Sequence, residues 1–315
     1  MAAIPNTQFG RKVSLLLVEG EQALDLSFLR FRFSTAQEDE ESPNNCSIRV
    51  YNLSEDTVRK VQKEYTRVIL QAGYENGAFG VIFDGTIKQF RIGREGDAVN
   101  SYIDILAADS DLAYNYATVN RTLAAGSSPA DRITAIIAAK SKYGVKPGVL
   151  VIPSTGGVLP RGKVLFGMAK TMMRSEVQNI GSTWSLQNGQ VNVIPLDGYL
   201  PGETVVLSAL TGLIGRVEQT QDGLRARCLL NPKIVVGGLV KIDNKSVNQT
   251  LQQNPDAAPV AFNQWAGIQN FATVTGDGLY RVYVAEHTGD TKGQEFYTDL
   301  VCLTVNPVLE KVIPK

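Results

Sequence analysis

The chain has 315 residues, 43% of them apolar, and its 31 Lys+Arg are balanced by 31 Asp+Glu. That length suggests about two domains, and that apolar share excludes wholesale disorder. The even charge leaves no broad basic footprint for nucleic acid, although a local basic strip would not register in a net count.

Residues 1–7 show no basic region followed by an apolar stretch. No secretory signal is therefore expected, and the chain is expected to begin as a soluble cytoplasmic product. The sequons at Asn52, Asn120 and Asn248 then carry no glycan. The apolar runs at 13–18 and 149–152 are far too short to cross a bilayer, so no stable membrane insertion is expected. Cys46, Cys228 and Cys302 are odd in number and far apart, which reads as buried free thiols on strands.

Residues 10–110 read as strands. Leu24, Leu26, Phe28, Phe31 and Phe33 recur at mostly alternating positions, and Ser47 to Tyr51 alternate cleanly. The acidic stretch at 38–45 between them reads as a solvated loop tip. Ser54 is a suitable N-cap for a short helix with Glu55 and Asp56 in its first turn. Further strands are predicted at 68–74, 81–90 and 102–107.

The centre changes character. Ser128-Pro129-Ala130-Asp131 is a strong helix start, and Gly144 fits the C-terminal cap of a helix over about 129–143. A second helix is predicted over about 164–180, where Leu165, Met168, Ala169, Met172, Met173 and Val177 recur at helical spacing; its methionines read as core filler. Asn188-Gly189 supplies the two-residue turn of a β-hairpin over 183–194, with Trp184, Leu186, Val191 and Val193 on its buried face. Strands return at 204–208, 224–229, 239–242, 280–285 and 295–305. The stretch 244–270 is a long loop rich in Asn, Gln and Pro, of a length that is functional or disordered in a compact domain.

The two β-rich ends resemble each other. Gly85, Gly96-Asp97 and Tyr102-Ile103-Asp104 align with Gly278, Gly289-Asp290 and Tyr297-Thr298-Asp299. Each set reads as strand, turn, strand, and the pair suggests an internal duplication.

Familiar chemistry is scarce. His287 is the only histidine, so a usual zinc set is out of reach, and its place near a hairpin end suggests a hydrogen-bonded turn residue. Gly157 to Lys163 follows a strand with P-loop spacing, but Val164 replaces the hydroxyl that would hold magnesium and Pro160 removes an amide from the cradle. Asp109 and Asp111 follow a strand and precede a short helix, so capping explains them better than a metal pair. No nucleophile elbow, Cys–His pair or dinucleotide fingerprint is present, and no catalytic residue, metal or cofactor is assigned. Paired carboxylates for glycoside chemistry would need no sequence proximity, so a cell-wall hydrolase or glycan-binding module stays open as a rival of another class.

Thr211-Gly212-Leu213-Ile214-Gly215, then Leu229-Leu230-Asn231-Pro232, Val236-Gly237-Gly238-Leu239-Val240, Gly278-Leu279-Tyr280 and His287-Thr288-Gly289-Asp290 form a recognisable order. Together with the helix–helix–hairpin centre and Arg49-Val50-Tyr51-Asn52-Leu53, that order resembles the baseplate central hub proteins of contractile-tailed bacteriophages, the late control protein D-like group. The resemblance implies a mainly β (α+β) fold. Residues 1–112 would form a first tube-type β-barrel and 113–200 a helix-containing α/β region. Residues 201–315 would form a second barrel, related to the first by duplication and carrying loop 244–270. It also implies a homotrimer in the virion tail baseplate, assembled in the host cytoplasm. Its expected partners are a tail tube protein, a central spike protein and a tape measure protein, with no specific nucleic acid. The related hub of a secretion or tailocin machine is the nearest alternative. Phe262 and Trp265 are large aromatics in the polar loop, and such residues anchor interfaces, so they are the expected interface pair.

Overall fold

The structure is a computed structural model and describes residues 8–96, 100–153, 157–220, 223–242, 247–248 and 278–305. The first third folds as β1 (Arg11–Glu19), β2 (Gln22–Asp25), β3 (Phe31–Glu38), β4 (Asn45–Tyr51), α1 (Glu55–Glu64), β5 (Arg67–Tyr74), β6 (Phe79–Glu95) and β7 (Asn100–Ala108). Strict alternation drives these strands: β3 buries Phe31, Phe33, Thr35 and Gln37 and exposes Arg32 and Ser34. Ser54 caps α1 by accepting the Thr57 N–H at 3.2 Å. Residues from β1 to β7 converge on one apolar cluster around Leu15, Phe31, Ile48, Val61, Leu70, Phe83 and Ile105, so the sheet is rolled around its own core.

The middle holds α2 (Asp111–Tyr116), β8 (Thr118–Leu123), α3 (Pro129–Lys140), β9 (Lys146–Leu150), β10 (Lys163–Met168), α4 (Ala169–Gln178), β11 (Ser182–Gln187) and β12 (Gln190–Pro195). A full capping box between Ser128 and Asp131 starts α3. Asn188 (φ 51°) and Gly189 (φ 77°) make the β11–β12 turn. The predicted helix over 164–180 is corrected at its start. Residues 163–168 pair antiparallel with β8, and only Ala169–Gln178 is helical. Val164 and Phe166 face water on that strand while Leu165 is buried, a period of two that a helical count misses. Ile133, Ile136, Met173, Val177, Trp184 and Val191 share this region's core.

The last third comprises β13 (Val205–Leu207), β14 (Leu213–Thr220), β15 (Gly223–Leu229), β16 (Leu239–Ile242), β17 (Val247–Asn248), β18 (Leu279–Asp290) and β19 (Phe296–Thr304). Its core gathers Val217, Ala226, Val240, Tyr280, Val282, Leu300 and Cys302. One 14-stranded sheet runs through the first and last thirds, joined where β18 pairs with β3. Leu230 and Phe296 belong to the first cluster, so the two β regions also share core across the join.

The duplication is a fact of the fold. The orders β3-β4-β7-β6-β5 and β14-β15-β19-β18-β16 match strand for strand. Even a bulge repeats. Register shifts between Ile87 and Gln89 opposite Ala107, and between Val282 and Val284 opposite Cys302, a constant interval of 195 positions. The glycine alignment read from the sequence was two residues off: Gly85 corresponds to Tyr280, not to Gly278. The equal glycine spacing was a coincidence, and the tyrosines and aspartates were the true markers. Phe28 is corrected as well, because it lies in the turn before β3 and is 75% exposed.

Candidate functional site

The residues that would carry catalysis are committed elsewhere. His287 lies inside β18 and not in a turn; it is fully buried, and its Nδ1 is 2.9 Å from Thr298 Oγ1. Burial pushes its pKa down to about 4, so at neutral pH it is uncharged and has no path to a substrate. Lys163 of the P-loop-like segment ion-pairs with buried Glu176, which also takes Arg132 Nε at 2.6 Å. Residues 154–156 of that segment lie outside the described residues.

Asp109 and Asp111 are not caps, since Ser110 holds the N-cap position of α2 without a side-chain bond. Asp109 Oδ1 accepts the Gly189 N–H at 2.9 Å and so fixes the β11–β12 turn; burial raises its pKa to about 6 against these bonds. Asp111 pairs with Lys88 at 2.9 Å. Cys46, Cys228 and Cys302 are buried free thiols whose pKa burial raises, so they are unreactive. Among the described residues no group of three His, Cys, Asp or Glu could hold a metal, and no helix is long and apolar enough to cross a membrane.

The polar chemistry is instead that of joints. The acidic stretch at 38–45 is no solvated tip: Asp39 and Asn44 are each 4% exposed. Asp39 ion-pairs with buried Arg281 of β18, whose Nη1 also donates to the carbonyls of Leu196 and Gly198 at 3.0 Å. Burial lowers the Arg281 pKa to about 10, yet it stays charged at neutral pH. Asn44 Nδ2 donates to Leu186 O and Gln187 Oε1, both at 2.8 Å. One loop thus bolts both β regions to the middle. At the seam between β3 and β18, Asp290 takes Arg30 and Arg32 at 2.9 Å each. Burial works to raise its carboxyl pKa, but those two arginines hold it well below the usual range.

A second set of polar residues is repeated. Arg49 grips Asp104 through two bonds (Nε–Oδ1 2.7 Å, Nη2–Oδ2 3.0 Å), with its guanidinium 4.0 Å from the Tyr102 ring centre. Arg227 grips Asp299 the same way (2.6 and 3.0 Å), 5.7 Å from Tyr297. Five of the six stand in motifs named in the sequence and Arg227 lies on the predicted strand 224–229, but the arginines are joined to the aspartates only by strand register.

The repeats differ at one edge. In β18, Val284–Asp290 pairs with β19 on one side and with β3 on the other. The counterpart in β6, residues 89–95, pairs with β7 alone among the described residues, because β5 ends opposite Thr86. Ile92 takes the place of His287 there and is 58% exposed. An open groove of about 530 Å³ runs beside it, walled by Val58, Arg59 and Gln62 of α1. On the far margin of the sheet stands β14, the counterpart of β3, with the two-residue β17 beyond it among the described residues. Phe262 and Trp265, expected as an interface pair, lie outside the described residues, as does loop 244–270 apart from β17.

No protein-family model matches the sequence, nor does any curated protein. Solved structures do match in shape. A prophage MuSo2 43 kDa tail protein from Shewanella oneidensis superposes with a TM-score of 0.56 at 6% identity, over 93% of this chain and 97% of that one. A tail protein from Neisseria meningitidis gives 0.58 at 9% identity, over 94% and 97%. A type VI secretion system component from E. coli, itself reported to resemble tail proteins of bacteriophage T4, gives 0.53 at 8% identity, over 95% and 78%. At such identities the likeness is one of fold: this chain has the mainly β architecture found in phage tail proteins and in that secretion component.

Proposed function

We propose that this chain is the structural hub of a phage tail baseplate, a homotrimer joining the sixfold tail tube to the threefold central spike, and not an enzyme. The observation that carries this reading is the unequal edge of the two repeats. Within one chain, repeat two is completed by β3 of repeat one. Residues 89–95 of β6 offer the same edge again, and β14 is the matching strand at the other end of the sheet. Docking β14 of one copy on β6 of the next, in place of the two-residue β17 bridge, repeats the internal join between chains. Such a head-to-tail contact uses two different surfaces and closes into a ring when its rotation allows. Three copies then give six barrels, a number that suits both neighbours.

In this reading residues 1–112, 113–200 and 201–315 are the first barrel, the α/β region and the second barrel. The partners are the tail tube protein, the spike protein and the tape measure protein, and the site of action is the virion tail. The match to the E. coli secretion component, over 95% of this chain, supports the hub of a contractile secretion machine as a second reading. Genomic neighbourhood separates the two. Presence of the chain in purified tails at three copies each tests the proposal; a monomer that clears peptidoglycan in a zymogram contradicts it.

A further inference from the structure

The turns entering β3 and β14 occupy the same place in the two repeats and share a hydrogen bond. Phe31 faces Val50, which follows Arg49, and Leu213 faces Cys228, which follows Arg227; the two starting residues are 182 positions apart. The same interval pairs Leu26 with Ser208, Phe28 with Leu210 and Leu29 with Thr211. The backbone agrees: the Leu29 N–H donates to Leu26 O at 3.1 Å, and the Thr211 N–H to Ser208 O at 3.0 Å. In each turn the third residue is large, apolar and in water, Phe28 at 75% exposure and Leu210 at 96%.

Their placement follows from the topology. From β14 through β15, β19 and β18 to β3 every step is antiparallel, and four reversals restore the direction. Both tips therefore stand on the same rim of the sheet. One exposed apolar side chain is ordinary on a protein surface. Here corresponding turns place one at the same point in both repeats, although the repeats diverge elsewhere, as where Ile92 is exposed and His287 buried.

We propose that Phe28 and Leu210 are twin anchors for one kind of partner: a homo-oligomeric protein ring whose subunits each present an apolar socket, two successive subunits engaging each copy of this chain. The proposal rests on the tail reading and adds the contact residues to it. Each tip brings an apolar knob on a turn braced by a hydroxyl: Ser27 Oγ accepts the Leu15 N–H in one, and Thr211 Oγ1 accepts the Ser208 N–H and donates to Val206 O in the other. Two tips on one rigid sheet act bivalently, so removing one weakens attachment by more than a surface contact would, about 10- to 100-fold.

The test places p-benzoylphenylalanine at position 28 or 210, assembles tails, irradiates them and identifies the products by mass spectrometry. The expected result is that both positions cross-link to one polypeptide, within the same segment, and that this polypeptide is present at two copies per copy of this chain. Cross-links to two different polypeptides, to different segments, or to this chain itself overturn the proposal. So does the absence of any cross-link in tails that contain the chain. Absence of the chain from the tails overturns the tail reading as well, which sets that failure apart. Phe28→Ser and Leu210→Ser, both at exposed positions, are expected to leave the fold intact and lower the amount of chain retained by tails; unchanged retention of the double variant contradicts the proposal.

Discussion

The two β repeats share strand order, a bulge and an Arg–Asp–Tyr clasp, yet among the described residues only one of them has both flanks of its long strand paired. In repeat two, β18 is flanked along its length, His287 is buried, and Asp290 is held by two arginines of repeat one. In repeat one the matching stretch of β6 has one neighbour among the described residues, and Ile92 stands where His287 does. The difference is one of partner and not of fold. The same strand geometry is a core element where a neighbour covers it and, in the proposed function, an assembly edge where no described strand does.

The largest effect is expected where the repeats meet the middle region. Arg281→Ala leaves Asp39 charged and buried, and such a break costs about 3–5 kcal/mol. Urea denaturation measures it. Asp39→Asn with Arg281→Leu removes both charges and is expected to recover a large part of the loss; no recovery would mean that the loop packs by shape alone. Next comes the buried histidine, which only repeat two possesses. The unfolded chain takes up a proton below about pH 6.5. The folded protein refuses it until about pH 4, so stability contributed by neutral His287 falls as pH drops through that window. Asp109, whose pKa is raised to about 6, works in the opposite sense over the same range. The informative quantity is therefore the difference between wild type and His287→Gln, expected to change by about 2.5 kcal/mol between pH 7.5 and pH 4.5. Parallel stability curves contradict the assignment. The clasps are the smallest term. Arg49→Ala and Arg227→Ala are each expected to cost about 0.2–1 kcal/mol. Arg49 should be the costlier, being 33% exposed against 56% for Arg227 and closer to its tyrosine.

The repeat was legible in the sequence through Tyr102 and Asp104 against Tyr297 and Asp299, because side chains that fix register leave a pattern at constant spacing. Glycines mislead, since turns tolerate them at several places. The β11–β12 hairpin was legible for a local reason, the positive φ of Asn188 and Gly189. The β10 strand was misread because Val164 to Met173 satisfies helical spacing by chance while Val164 and Phe166 alternate outward against β8. The joints were invisible. Asp39 and Arg281 lie far apart in the chain, and an acidic run reads as solvated until a buried cation is seen beneath it. The open edge of β6 was beyond reach too, because an unpaired edge is a property of neighbours and leaves no mark on its own residues.

Native mass spectrometry of the purified protein and of Ile92→Lys tests the central claim most directly. Lysine at an exposed edge position is expected to change the stability of the single chain by no more than about 0.5 kcal/mol. It also places a charge where the next copy's strand would pack. The account predicts three chain masses for wild type and one for the variant, with unchanged circular dichroism. A wild type that stays monomeric, or a variant that still forms the trimer with undiminished stability, would contradict the account.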